Sequence, residues 1–225
     1  MSIAPEAVGD ATGGRAAPAV AAPARPEGWA AGIGLMTGSA AAAQLGGAVA
    51  AQAFGSLGPL GVVAVRQWVA SALMLAATRP RVTAFTARQW RPVLALALVY
   101  MVMNTTLYLG IARIGLGLAI TLEFVGPLSL ALAASRRVTD YGCAGLAAAA
   151  VVVLARPQPS TDYLGIGLSL VAAAGWAGYI IVNRDLGRQF AGAQGSAAAI
   201  SISALLYIPV GVVMLATHPV TSAAR

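Results

Sequence analysis

The chain has 225 residues, 59% of them hydrophobic and 9% charged, with a mean hydropathy of +0.79. About a quarter of the residues of a soluble domain are charged, and such a domain has no interior large enough for this much apolar surface, so the composition defines an all-α membrane protein. The net charge of +7 comes from arginines lying between apolar runs; they assemble into no surface stripe, which argues against a nucleic-acid partner.

In chain order, residues 1–28 are rich in Ala and Pro with scattered Glu6, Asp10, Arg15, Arg25 and Glu27, and read as a disordered tail. A cleaved secretory leader fits less well, because the apolar stretch that follows is longer than a leader core and many more succeed it. About seven transmembrane helices are expected, over 30–50, 58–78, 92–111, 114–135, 140–156, 163–183 and 195–216. Uncharged runs of 21, 21 and 29 residues lie at 92–112, 163–183 and 189–217, against the roughly 20 that a helix needs to cross hydrocarbon. Gly58-Pro59 is expected to open the second span after a turn. Gly126-Pro127 falls inside the fourth span and should bend or unwind it. Cys143 sits in an Ala/Gly-rich span and reads as a small buried thiol.

Arginine placement gives an orientation. The segments 1–28, 79–91, 136–139 and 184–194 carry ten arginines, whereas the opposite segments carry Arg113, Arg156 and Arg225. The positive-inside rule then places the N-terminus in the cytoplasm. Trp90, between Arg88 and Arg91, fits an interfacial anchor.

Two charges, Arg66 and Glu123, lie within spans. Each costs on the order of 2.5–3.5 kcal/mol to insert, so each should face the bundle interior or a wet cavity. They either line a translocation path, with Glu123 accepting a proton or a substrate ammonium, or form a structural ion pair, the arginine alternatively snorkelling. Pro127 follows Glu123 by one helical turn and frees its carbonyl, as in broken helices that offer backbone oxygens to a ligand; an ordinary kink reads equally from the same residues.

Tyr100, Asn104 and Tyr108 recur every four residues on the third span, and Trp176, Tyr179 and Asn183 do much the same on the sixth. Such stripes either line a cavity for a small amphiphilic metabolite or hold helices together. Gln44 in the first span is a further cavity candidate, while Gly28/Gly32 and Gly34/Gly38 have the spacing of close helix contacts. His218 has no acidic or Cys cluster around it, so no metal site is expected. There is no Walker loop, HExxH or GxSxG, and no catalytic residue or cofactor is expected.

GIGLM at 32–36 is echoed by GIGLS at 165–169, and Gly61 with its apolar run by Gly195 with its own. Five spans separate the copies, so the second enters the membrane in the opposite sense, as in inverted-repeat transporters. The run MNTTLYLGIARIGLGLAITLEFVGPLSLALAASRR at 103–137, with GVVAVRQW at 61–68 and GWAGYIIVNRDLGR at 175–188, resembles the EamA branch of the drug/metabolite transporter superfamily, and within it the threonine/homoserine exporter subgroup. The resemblance implies a ten-helix fold of two inverted five-helix repeats in the bacterial inner (plasma) membrane, exporting small amino acids or related metabolites. It places the first repeat at 29–156 and part of the second at 162–225, aligns Arg66, Glu123, Gly126 and Pro127 with the family's motif residues, and sets Trp176 and Tyr179 beside the central cavity. The sequence ends at Arg225 after the seventh span, three helices short of that pattern, which implies a piece of a longer chain or a truncated product. The competing expectation is a non-transporting membrane protein with a structural or interaction role. A homodimer is a candidate arrangement, although two chains lacking the same helices cannot supply them to each other.

Overall fold

A computed structural model describes residues 34, 37–38, 54–135 and 137–217. The tail, most of the first expected span with Gln44, Arg136, and the stretch from His218 to Arg225 lie outside the described residues. Within them the helices are α1 (Phe54–Thr78), α2 (Ala87–Ile114), α3 (Leu116–Glu123), α4 (Val125–Ala134), α5 (Val138–Ala155), α6 (Tyr163–Gln189), α7 (Gln194–Leu206) and α8 (Ile208–Thr217), with a 3-10 turn at Val82–Ala84. No strand occurs among the described residues. Among the described residues six stretches are long and apolar enough to cross a membrane: Leu57–Thr78, Ala87–Ile114, Leu116–Ala134, Val138–Ala155, Tyr163–Gln189 and Gln194–Val213. They correspond to the second to seventh expected spans.

Capping chemistry lengthens two helices beyond their apolar runs. Thr86 accepts from the Gln89 N–H, and the Gln89 side chain accepts from the Thr86 N–H at 2.9 Å. This capping box starts α2 five residues before the apolar stretch. Asp162 accepts from the Gly165 N–H at 3.0 Å and starts α6. With 28 and 27 residues these helices are about 40 Å long, so their ends project beyond the roughly 30 Å of hydrocarbon. At Gly58 the backbone turns left-handed (φ 67°) just before Pro59, separating a short turn from the span proper.

Helices α2 and α6 form the centre, packed along their whole length. Small residues bring them together: a Cβ at Gly110 would sit 2.5 Å from the Ser169 hydroxyl, and one at Gly175 would sit 3.0 Å from the Met103 Cβ. The Gln89 side chain donates to the Gln189 carbonyl (3.1 Å) at one end of this pair, and Arg113 bridges Asp162 (2.9 Å) at the other. The two helices are therefore antiparallel, and Arg79, Arg81, Arg88, Arg91, Arg184 and Arg188 share one end of the bundle. One buried cluster joins Val62, Val63 and Ala64 of α1 to Tyr108 and Tyr207; another joins Val93, Leu96 and Ala97 of α2 to Leu186, Ala198 and Ala199.

One expectation needs correction. Cys143 is exposed, because α5 lies at the periphery and buries only Ala144. Gly28 and Gly32, with most of the stretch that carries Gly34 and Gly38, lie outside the described residues. Trp90 is partly buried and packs on Phe85 (ring centroids 5.6 Å apart) within the second cluster, so protein neighbours hold it as well as its position near the membrane edge.

Candidate functional site

The fourth span is two helices joined at Phe124 (φ −63°, ψ −18°). Pro127 has no N–H to return to the Glu123 carbonyl, and the helical pattern resumes only with the Leu128 N–H donating to the Phe124 carbonyl at 3.2 Å. The break is held in place by α6. A Cβ on Gly126 would overlap the Ala173 carbonyl, so backbone rests on backbone there, and the Phe124 ring meets Trp176 edge-on at 5.0 Å.

At this break Glu123 is buried, 6% exposed. Its carboxylate has no hydrogen bond and no ion pair among the described residues, where the ion pairs are Arg113–Asp162 and Arg188–Asp185. Arg66, on α1, donates to the Tyr108 hydroxyl and sits over its ring at 5.5 Å. The direct Arg66–Glu123 pair considered from the sequence is therefore not formed. Arg66 is on the exposed side of α1, while Glu123 and Tyr108 are buried. The result is a separated cation and anion, each with unspent hydrogen-bonding capacity and each within a helix apolar enough to span a membrane, where charge is expensive.

The two aromatic stripes divide into three contacts. Tyr108 holds Arg66, Tyr100 lies against Tyr179 with centroids 5.5 Å apart, and Trp176 takes Phe124. The stripes are thus brought to the α2–α6 seam and to the helix break. Asn104 spends a donor on its own helix, to the Tyr100 carbonyl at 2.8 Å, and Asn183 accepts from Ser196 of α7 at 3.2 Å, the helix-joining role. Pro127 is at the break, and Gln44 lies outside the described residues. Among the described residues no three His, Cys, Asp or Glu side chains gather in a way that could hold a metal.

The sequence reading missed a polar seam. Gln67 donates to Ser203 (2.6 Å), Ser71 to Ser201 (3.0 Å), and the Trp68 indole to the Ala204 carbonyl (3.0 Å), zipping α1 to α7. The Tyr207 hydroxyl bonds Thr105 at 2.5 Å and donates to the Met101 carbonyl at 2.9 Å. Tyr207 stands at a second interruption, between α7 and α8, with Pro209 just beyond. The signal for the seam was the four-residue spacing of Gln67 and Ser71, which puts both on one face of α1. Outside the spans, the Gly165 N–H and then the Arg113 guanidinium hold the Asp162 carboxyl below the usual aspartate range.

These features define a multi-pass helical membrane protein whose charged centre sits at a broken helix. Over 173 residues the chain is 32% identical to the threonine/homoserine exporter RhtA of Salmonella typhimurium strain LT2, a match covering 76% of this chain and 58% of that protein. Over 174 residues it is 32% identical to the threonine/homoserine exporter RhtA of Escherichia coli K12, covering 76% of this chain and 59% of the relative. The chain thus spans a little under three-fifths of the length of these relatives. No family model matches it, and no solved structure matches it.

Proposed function

We propose that this chain acts in secondary-active export of the EamA type, moving small amino acids of the threonine/homoserine kind or related metabolites. The observation that carries the reading is Glu123, a buried residue at a helix break whose carboxylate has no hydrogen bond or ion pair among the described residues. A structural carboxylate within a span would be expected to close on Arg66; instead Tyr108 holds Arg66 apart. A zwitterionic amino acid carries the matching charges. Its ammonium goes to Glu123 and the carbonyl freed by Pro127, its carboxylate goes to the remaining guanidinium donors of Arg66, and Trp176, Tyr179 and Tyr100 offer apolar surface for the side chain. With the ligand absent, Glu123 is the group that takes a coupling proton. The similarity to the two exporters supports the substrate class, and the arginine-rich end supports a cytoplasmic N-terminus in the bacterial inner membrane.

The test is export of labelled threonine and homoserine from cells making the chain, after membrane insertion is confirmed. Export that Glu123→Gln abolishes at equal protein level supports the proposal. Glu123→Gln that lowers the amount of inserted protein as much as it lowers export favours a structural role for the carboxylate.

A further inference from the structure

At the arginine-rich end a pocket of about 270 Å³ opens between the α1–α2 and α6–α7 connections, lined by Arg81, Phe85, Gln89, Gln189, Phe190 and Gln194 with two alanines. Its walls are built. The chain leaves α1 at Arg79 in a left-handed conformation (φ 42°), whose N–H donates to the Leu75 carbonyl at 2.9 Å. Pro80 and the 3-10 turn at Val82–Ala84 then fix the course of the backbone past Arg81. Across the pocket, Phe85 and Phe190 meet edge to face at 4.7 Å, and Gln89 is spent on Thr86 and on the Gln189 carbonyl.

Three donors remain unspent. The Arg81 guanidinium and the Gln189 and Gln194 carboxamides have no hydrogen-bond or ion-pair partner among the described residues. The surroundings are one-signed: the flanking stretches 79–91 and 184–194 hold six arginines and one acid, Asp185, which faces Arg188 at 3.9 Å. The pocket lies where the apolar spans end, at Thr78 and Gln189. Leu75 and Ile181, on the two helices leading into it, are exposed apolar side chains. A cationic, donor-rich pocket beside lipid-facing apolar surface matches an anionic headgroup whose acyl chains stay in the bilayer. Its volume falls short of a drug-sized cavity and suits a headgroup.

We propose that this pocket seats the phosphodiester of an anionic phospholipid, with Arg81 as the charged contact and Gln189 and Gln194 as neutral donors. The site is separate from the Glu123 centre, and its occupancy does not depend on the export reading. In nanodiscs mixing phosphatidylglycerol with phosphatidylcholine, native mass spectrometry of the folded chain should show retained phosphatidylglycerol, lost as salt is raised. Arg81→Gln should weaken retention by about five- to tenfold, the effect of one juxtamembrane arginine making a charge-assisted bond. Arg81→Lys should recover most of the loss. Arg88→Gln removes the same charge from the same end outside the pocket lining and should change retention by less than about twofold. No preference for phosphatidylglycerol in the unmodified chain would overturn the proposal, as would equal losses in the Arg81→Gln and Arg88→Gln variants. Displacement of the lipid by millimolar inorganic phosphate alone would overturn the lipid as occupant in favour of a free anion.

Discussion

The contact beneath the broken helix can be tested by adding one methyl group. In Gly126→Ala the new Cβ would overlap the Ala173 carbonyl, and neither partner is the free end of a side chain, so α4 must back away from α6. Overpacking of this kind costs about 1–3 kcal/mol, offset by about 0.5–1 kcal/mol because alanine is the better helix former. The net loss of up to about 2.5 kcal/mol corresponds to a Tm lower by up to roughly 10 °C in a chain of this size. Gly142→Ala supplies the opposite sign: it lies in a spanning helix with nothing within 4 Å of the new Cβ, so it should leave Tm unchanged or raise it slightly. Both are read by thermal unfolding of the purified chain in one detergent. The Gly126→Ala variant should also show altered Trp176 fluorescence as the Phe124 edge contact shifts. Equal Tm values for the two variants would refute the backbone contact at the break.

The polar seam between α1 and α7 predicts a coupling of about 0.5–1.5 kcal/mol between Gln67→Leu and Ser203→Ala in a double-mutant cycle of thermal or denaturant stability; additive effects would mean that the bond contributes nothing. Tyr108→Phe keeps the ring over Arg66 but removes the hydroxyl that accepts from it, so export should fall several-fold at unchanged insertion. Unchanged export would show that Arg66 does not need to be held. The Asp162 carboxyl is held below its ordinary range, so its folded pKa lies under its unfolded one and its contribution is present above the unfolded value. The stability gap between the unmodified chain and Asp162→Ala should therefore be constant near neutrality. It should shrink only as pH falls through and below the ordinary aspartate range; a gap that closed above that range would contradict the assignment.

Much of this fold is written in residue order, because in a bilayer the backbone must satisfy itself and apolar length alone marks a span. The break after Glu123 was legible for the same reason, since proline removes a donor wherever it stands. The starts of α2 and α6 were not legible from hydropathy, because Thr86-Gln89 and Asp162 extend the helices by capping into polar sequence. Cross-helix distances were out of reach as well. Arg66 and Glu123 looked like partners because they are the two charges within spans, yet the Tyr108 hydroxyl takes the arginine, and the i, i+4 stripe carrying Tyr108 gave no hint of that choice. Asn104 and Asn183 looked equivalent on their helices; one bonds its own backbone and the other a serine of α7, a difference set by which neighbour packs there. Cys143 faces outward for a related reason, as Ala/Gly richness does not reveal which face of α5 meets protein.

The central claim is that Glu123 is a substrate-facing carboxylate. Counterflow of radiolabelled threonine into proteoliposomes holding the purified chain, preloaded with unlabelled threonine, tests it most directly. Uptake above protein-free vesicles, lost in Glu123→Gln at equal reconstitution, is the expected result. Uptake by Glu123→Gln equal to that of the unmodified chain would contradict it.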